Sequence, residues 1–315
     1  EPLKAQPIDP PTLAMTFRVN DSPLAGTEGD KVTSRMIRDR LLREAEGNVA
    51  LRVRESDDKD SMEVAGRGEL QLGILIENMR REGYELQVSQ PEVILHREGD
   101  RITEPYEELT IQVPEIYQGS VIEEVGKRRG EMRHMKLVHS DIGTGEMHLE
   151  YYIPTRGIMG LKNLLLAKTR GTIIMHHVFA AYEPAEERDL LVAPHGSLVA
   201  HEDGTSTGYA IFMTQERGVM FIGPGVEVYR GMVVGENSRD EDLDVNVCKE
   251  KHLSNMRASG TDEALVLTPP KEMSLEFALE YIGPDELVEI TPQNLRLRKR
   301  LLNADERRRA KKAGK

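Results

Sequence analysis

The sequence is poor in cysteine and in aromatic residues. Its 315 residues include one cysteine, Cys248, no tryptophan, and only 4% aromatic side chains. A single cysteine excludes an intrachain disulfide framework and a Cys-based zinc site, which fits a reducing, cytoplasmic environment. The few aromatic side chains argue against a carbohydrate-binding cleft and against an aromatic platform for stacking.

Two kinds of targeting segment are also missing. No apolar run approaches the roughly 20 residues that span a bilayer, so we expect no membrane partner. Residues 1–13 lack the basic start and the apolar stretch of a signal peptide. Because the chain begins at Glu1 rather than Met and leads into a Pro-rich segment, we expect a fragment of a longer protein, with residues 1–11 as the remnant of a linker.

The motifs of nucleotide and catalytic sites are absent as well. No GxxxxGK(S/T) phosphate loop occurs, so we expect this chain to bind neither GTP nor Mg²⁺ and to hold no cofactor of its own. Glu123 and Glu124 are the best case for a hydrolase with paired carboxylates. Adjacent helical positions diverge by about 100°, however, and do not converge on a substrate. We therefore predict no catalytic residue and no metal site.

The net charge of −12 is distributed unevenly along the chain. Residues 296–315 hold ten Lys or Arg against Asp305 and Glu306, which leaves a net charge of about −20 on residues 1–295. An acidic body suppresses indiscriminate RNA binding, whereas a local basic segment still meets phosphates. Residues 304–315 are therefore predicted to be a basic tail, with a solvated, disordered terminus as the alternative on composition alone.

Residues 12–98 show the order strand, helix, strand, strand, helix, strand. Apolar residues from Met36 to Ala45 lie on one helical face, whereas Val49, Leu51 and Val53 alternate with Arg52 and Arg54, as in a half-buried strand. Helical spacing returns at residues 70–81 and alternation at residues 84–88. This βαββαβ order predicts a ferredoxin-like domain, in which both helices cover one face of an antiparallel sheet.

The same order returns over residues 99–184. The pattern predicts a strand that ends at Pro114, a helix at 120–129, a hairpin of strands, a helix and a last strand; the final four elements fall at 131–139, 146–153, 160–168 and 172–179. We therefore predict a second ferredoxin-like domain in tandem with the first.

From residue 185 to residue 303, short apolar runs are separated by Gly and Pro. Runs at 208–213, 219–222 and 232–234 predict a β-rich, barrel-like C-terminal domain. A long polar loop, 236–263, interrupts this domain, and such loops are usually functional or disordered. The predicted fold class is thus α+β, with two tandem ferredoxin-like domains followed by the barrel-like domain.

Several sequence strings are specific enough to indicate a superfamily. GRGELQL at residues 66–72 resembles the third domain of elongation-factor-G-like translational GTPases. VPE at 113–115, RRG at 128–130 and TRG at 169–171 resemble the fifth domain. Both domains are ferredoxin-like in that superfamily. Only a connector lies between them here, so the resemblance is to relatives that lack the fourth domain, namely the TypA/BipA type or the LepA type.

Two further strings distinguish between these relatives. GIMGLKN at residues 157–163 and NMRASGTDE at 255–263 resemble the TypA/BipA family, and the resemblance covers essentially the whole chain. It implies the C-terminal half of a ribosome-dependent GTPase whose missing N-terminal domain binds GTP and Mg²⁺. The implied partners are the stalk base and RNA of the large ribosomal subunit, the small subunit and A-site tRNA, with the protein acting as a monomer. The implied roles are large-subunit assembly and adaptation to cold or stress.

RNA-binding residues are predicted in three places. Cations and hydrogen-bonding side chains cluster in the long loop, around the hairpin of the second domain and before the tail, and such side chains contact phosphates without reading bases. The predicted residues are Lys249, Lys251, His252, Asn255 and Arg257; Arg128, Arg129, Arg133 and Lys136; and Arg298, Lys299 and Arg300.

Two alternatives remain open from the residues alone. The long loop is also compatible with a flexible, charged loop, and the hairpin cluster with a solvated helix end. A protein-interaction module, in which sheet faces bind other proteins without RNA contact, is the competing function.

Overall fold

The computed structural model of the protein describes residues 10–56, 58, 60–99, 101–139, 145–185, 196–250 and 266–313. Helices and strands are mixed along these residues, so the predicted α+β class is confirmed. Within them, no helix is long and apolar enough to cross a membrane. We call residues 12–93 the first unit, residues 96–185 the second unit and residues 196–313 the third unit.

The first unit is an antiparallel sheet with two helices. Thr33 caps the first helix, since its Oγ1 accepts a hydrogen bond from the Met36 N–H at 3.4 Å. Ile37 and Leu41, one turn apart, are buried in the core. The elements are β1 (Leu13–Val19), α1 (Ser34–Gly47), β2 (Arg52–Glu55), β3 (Ser61–Gly66), α2 (Glu69–Arg81), β4 (Leu86–Val88) and β5 (Glu92–Val93). The strand order is β2-β3-β1-β4, and β5 pairs with β1.

The second unit has a sheet and a core of its own. Val121 and Leu165, from its two longer helices, are completely buried against sheet residues such as Leu149. The elements are β6 (His96–Glu98), β7 (Arg101–Pro114), α3 (Gln118–Lys127), β8 (Glu131–His139), β9 (Gly145–Pro154), α4 (Thr155–Ile158), α5 (Leu161–Lys168) and β10 (Ile174–Pro184). The strand order is β10-β7-β9-β8, and β6 pairs with β7.

The third unit forms an open sheet in the part of the chain that the structure describes, so the predicted barrel is not found there. Its strands are β11 (Gly196–Ala200), β12 (Gly204–Thr205), β13 (Gly218–Met220), β14 (Glu227–Val228), β15 (Met232–Asn237), β16 (Leu243–Val245), β17 (Glu286–Ile290) and β18 (Leu295–Lys299). Its helices are α6 (Gly208–Thr214), α7 (Leu275–Tyr281) and α8 (Ala304–Ala313).

Two local predictions for the third unit differ from the structure. The apolar run 208–213 forms helix α6 rather than a strand, because the Thr207 hydroxyl caps it by accepting a hydrogen bond from the Ala210 N–H at 3.2 Å. Periodicity alone does not separate helix from strand in so short a run. The predicted loop 236–263 contains strand β16, and its residues 251–263 lie outside the described residues.

Strands from the first and third units pair directly. Val88 of β4 lies opposite Val288 of β17, and Leu86 lies opposite Ile290. This pairing joins the two units into one 11-stranded sheet. Nine of its strands follow the order β16-β11-β15-β18-β17-β4-β1-β3-β2, and the other two, β13 and β5, pair with β15 and β1 beside this path. The two units also share one apolar core, to which the first contributes Leu75 and the third contributes Leu279. The first and third units are therefore one folded body, although the second unit separates them in sequence.

A buried carboxylate lies at this pairing of β4 with β17. Glu289, which is fully buried, accepts hydrogen bonds from Asn20 Nδ2 at 3.0 Å and Ser22 Oγ at 2.9 Å in the first unit. In the third unit, the Tyr229 hydroxyl donates to it at 2.8 Å, and Arg296 Nη1 donates at 3.1 Å. Because a buried charge is costly unless it is paired and hydrogen-bonded, this network requires both units to be in place.

The second unit meets the other two through side chains. Asn163 of α5 donates a hydrogen bond from Nδ2 to the Glu280 carboxylate of α7. Gly160 lies so close to the same carboxylate that a Cβ there would be 2.7 Å from Glu280 Oε1. Its φ of +69° is also a conformation that glycine adopts without strain. The left-handed φ is the reason for glycine at this position, because the flexible end of the Glu280 side chain can shift away from a Cβ.

A second carboxylate lies at the same junction. Burial and, to a smaller extent, the nearby Glu280 carboxylate raise the pKa of Glu69, in the first turn of α2, to about 7 against the opposing effects of His177 and Arg128. Burial likewise raises the pKa of Glu280. The junction between the units therefore keeps a substantial fraction of Glu69 protonated near neutral pH.

Leu75→Ala is expected to destabilise the first and third units together. It removes a side chain from their shared core, at a cost of about 2–5 kcal/mol in the free energy of unfolding. Hydrogen exchange should show this loss in the amides of β15 and β18 and leave β7 and β9 protected. Leu165→Ala, in the core of the second unit, is the matched control. It should reduce protection in β7 and β9 and leave β15 and β18 protected. Loss of protection confined to the first unit in the Leu75 variant would contradict a shared body.

Glu69→Gln is expected to remove one pH-dependent component of stability. The folded-state pKa of Glu69 is raised above its ordinary 4.5, so the folded state retains this proton over a range where the unfolded state has lost it. The contribution of Glu69 to the free energy of unfolding therefore falls as pH rises from about 4.5 to about 7. Urea unfolding should show the variant gaining stability over wild type across that range. A difference in the free energy of unfolding between variant and wild type that is constant with pH would contradict the raised pKa of Glu69.

Candidate RNA-binding surface

Most of the predicted loop site falls outside the structure's description. Lys251, His252, Asn255 and Arg257 lie in residues 251–265, which are not described. Lys249 is described and exposed. Its carbonyl oxygen accepts a hydrogen bond from the Thr207 hydroxyl at 2.6 Å, which places this end of the loop beside the start of α6.

Arg128 is buried rather than available to phosphates. Its side chain is only 7% exposed, and its Nη1 donates to the carbonyl oxygens of Gly157 at 3.2 Å and Met159 at 2.5 Å. Burial lowers the pKa of its guanidinium group. The prediction of an RNA contact at Arg128 is corrected accordingly, because its donors hold the segment after β9 in place. The neighbouring Arg129 is half-buried, with a left-handed backbone φ of 63°.

Arg133 and Lys136 are exposed on β8, at the edge of the second sheet. The Arg133 side chain already has interaction partners within the protein, however. Its guanidinium lies 5.0 Å from the centre of the Tyr152 ring, and its Nη2 lies 3.2 Å from a carboxylate oxygen of Glu131. The structure thus places Lys136 in solvent and Arg133 among groups that attract cations.

Arg298 and Lys299 lie inside the third unit, at 3% and 2% exposure. Arg298 Nη1 is 2.6 Å from Asp21 of the first unit, and Lys299 Nζ lies 2.6, 3.1 and 2.9 Å from Asp242, Asp285 and Glu286. The predicted RNA contacts at Arg298 and Lys299 are therefore corrected, because both cations neutralise acidic groups of the protein. Arg300, the next residue, is exposed.

The environment of Lys299 shows why this cation stays charged. Burial alone lowers the pKa of its ammonium, but the charges and hydrogen bonds of Glu286 and Asp242 outweigh that effect and raise the pKa. Glu286 also accepts a hydrogen bond from the Ser197 hydroxyl at 2.6 Å. The alternation of apolar and basic residues in β18 does not distinguish such buried cations from solvated ones.

The basic tail is helical over Ala304–Ala313 and fixed at its first turn. Arg307 forms an ion pair with Asp244 of β16, and its Nη1 donates to the carbonyl oxygens of Leu301 at 3.1 Å and Leu302 at 2.8 Å. Arg308 lies 3.7 Å from the same aspartate. This contact, which we call the Arg307–Asp244 clamp, attaches α8 to the edge of the large sheet.

The clamp leaves a basic helix surface in solvent. The cations Arg309, Lys311 and Lys312 are exposed and have no ion-pair partner among the described residues. The composition of residues 304–315 indicated their charge, whereas the sequence contained no signal for the clamp. Elsewhere in the described residues, no group of three His, Cys, Asp or Glu side chains is placed to hold a metal ion.

Comparison with known families defines the class of this chain. The model described as elongation factor G C-terminus matches residues 101–191. The model described as TypA/BipA C-terminal domain matches residues 195–304, which include the large sheet of the third unit and end where α8 begins. The class is therefore an elongation-factor-G-like C-terminal region that continues into a TypA/BipA-type domain.

Individual relatives agree with the family models. The chain is 52% identical over 292 residues to the large ribosomal subunit assembly factor BipA of Synechocystis sp., covering 93% of this chain and 48% of that protein. It is 47% identical over 315 residues to the protein of the same name from Escherichia coli strain K12, covering 100% of this chain and 51% of that protein. The chain belongs to the TypA/BipA family, and it spans about half the length of these curated relatives.

Lys299→Ala is expected to lower the free energy of unfolding by about 3–5 kcal/mol, because it leaves the buried carboxylate of Glu286 without its cation. Arg300→Ala is the neighbouring control, and loss of this exposed side chain should change stability by no more than about 0.5 kcal/mol. Urea denaturation of both variants measures the difference. Equal, small effects would show that Lys299 is not the internal counter-ion described above.

Proposed function

We propose that this chain is the ribosome-binding part of a TypA/BipA factor that acts in assembly of the large ribosomal subunit. The observation that carries the proposal is the similarity over 93% of the chain to a protein named as a large ribosomal subunit assembly factor. The match of the third unit to the TypA/BipA C-terminal domain model supports this family over the LepA type. A role in adaptation to cold or stress is part of the same proposal.

The three units are assigned separate positions on the ribosome. The first and second units are proposed to be ferredoxin-like domains equivalent to the third and fifth domains of elongation factor G, which their strand orders support. In this assignment the first unit faces the small subunit and the second faces the stalk base. The third unit extends toward large-subunit RNA and the acceptor arm of A-site tRNA, and the factor acts as a monomer in the cytoplasm.

Nucleotide chemistry is assigned to another part of the whole protein. The residues of this chain do not fit GTP and Mg²⁺, because the sequence has no phosphate loop to cradle a triphosphate. In this proposal, the complete factor hydrolyses GTP with residues outside this chain. The residues of this chain contribute binding to the ribosome. No step of hydrolysis is assigned to them.

Helix α8 and the loop that begins near Lys249 are the proposed RNA contacts. The surface of α8 presents Arg309, Lys311 and Lys312 without competing carboxylates in contact, so these cations are available to phosphates. Binding through phosphates releases counter-ions and is strongly dependent on salt. Because a helix of ten residues is marginal in isolation, the Arg307–Asp244 clamp supports both its helicity and its orientation.

Asp244→Asn is expected to weaken binding to purified large ribosomal subunits by about threefold to tenfold, because a released α8 must be ordered again on binding. The direction of the change in affinity distinguishes loss of helix order from a simple effect of charge. The substitution makes the chain less acidic, so charge alone predicts equal or tighter binding to RNA.

Glu241→Gln, an exposed change of the same charge, is the matched control and should bind at least as tightly as wild type. Binding is measured over a series of salt concentrations, with circular dichroism as the measure of helix content. If Asp244→Asn binds as tightly as the control, the clamp does not position the contact. If wild type fails to bind at low salt, the proposed function itself is wrong.

A further inference from the structure

Among the described residues, helices cover only one face of the second sheet. Helices α3 and α5 pack on the face that carries Leu109, Leu149 and Tyr151. Strand alternation sends the intervening residues to the opposite, open face. The register places His134, Glu150, Thr110 and His176 in one row across β8, β9, β7 and β10 on this open face.

The open face is acidic. In the described part of this face, carboxylates outnumber the two permanently charged cations, Arg133 and Lys136, and His134, His148 and His176 share the face. Glu108 and Glu150 are exposed and have no ion-pair partner among the described residues. The acidic residues of this face are Glu108, Glu131, Glu146, Glu150 and Glu183.

Tyr152 lies at the centre of these carboxylates. Its ring stacks on Tyr106, with ring centres 5.0 Å apart, and its hydroxyl donates to Glu183 Oε1 at 3.0 Å. The Arg133 guanidinium lies over the same ring, 5.0 Å from its centre. The chain's own arginine thus shows that this ring, with glutamates around it, accepts a cation.

A hollow of about 470 Å³ adjoins the ring. Its lining includes Glu108, Thr110, Glu150, Arg133 and Tyr152. Two carboxylates without counter-ions and one aromatic ring therefore meet in a concave part of the open face. A guanidinium or ammonium group that enters the hollow meets the two carboxylates directly, and it reaches the ring face by displacing Arg133, since Tyr106 also stacks on this ring.

We propose that the open face of the second unit binds a Lys- or Arg-rich segment of a partner protein. Charge complementarity favours a basic peptide, and it disfavours RNA because the carboxylates beside Tyr152 repel phosphates. An Arg or Lys side chain of the partner occupies the hollow between Glu108 and Glu150. This inference goes beyond the RNA contacts proposed for α8 and does not depend on them.

A synthetic Arg- and Lys-rich peptide, titrated by calorimetry at low salt, tests the proposal. Glu108→Gln combined with Glu150→Gln should weaken binding about tenfold, because two interfacial charges lose their partners. Glu216→Gln combined with Glu227→Gln changes two exposed glutamates of the third unit and gives the same net charge. This control pair should bind like wild type.

Tyr152 supplies an independent readout. Tyr152→Leu should weaken peptide binding about threefold or more, whereas Tyr152→Phe, which keeps the ring, should stay close to wild type. If the leucine variant is misfolded by circular dichroism, the two glutamine pairs decide. Equal weakening in both glutamine pairs would overturn the proposal, since it would show attraction to overall charge. Binding of a single-stranded RNA oligonucleotide that Tyr152→Leu abolishes would overturn it in favour of RNA.

Discussion

The pairing of β4 with β17 is the contact on which the rest of the structure depends. It joins strands that are about 200 residues apart into one sheet, and it brings the apolar residues of the first and third units into one core. Glu289 adds a requirement for accuracy at this contact, because its buried charge is satisfied only when Asn20, Tyr229 and Arg296 all surround it. Pairing of β4 with β17 holds the first and third units together. The buried Glu289 network restricts the register in which these two strands pair.

Burial divides the basic residues of this chain into two sets with opposite consequences. Arg128, Arg298 and Lys299 satisfy carbonyl or carboxylate groups inside the protein and are unavailable to a partner. Arg309 and Lys312, on a helix that projects from the sheet edge, remain in solvent. A cluster of cations in a sequence therefore does not identify an RNA surface, because the same residue types also neutralise buried carboxylates.

Local elements of this fold follow from the sequence to a large extent. Helices α1 and α2 were predictable from apolar spacing. The fusion of two units into one sheet was not, because strand partners far apart in sequence carry no local signal. The stacked pair Tyr106 and Tyr152 shows the same limit. The low aromatic content argued against a stacking surface, yet composition does not show where the few rings meet.

Interruption of one folded body by another has a consequence for synthesis of the chain. In the part of the chain that the structure describes, the sheet and core of the second unit consist of residues of that unit alone. Strand β4, by contrast, has an open edge until β17 emerges about 200 residues later, which takes roughly 10–40 s at 5–20 residues per second. Leu86 and Val88, fully buried in the finished protein, flank that edge. The nascent first unit is thus exposed to wrong strand pairing for most of the time that the remainder of the chain is being translated.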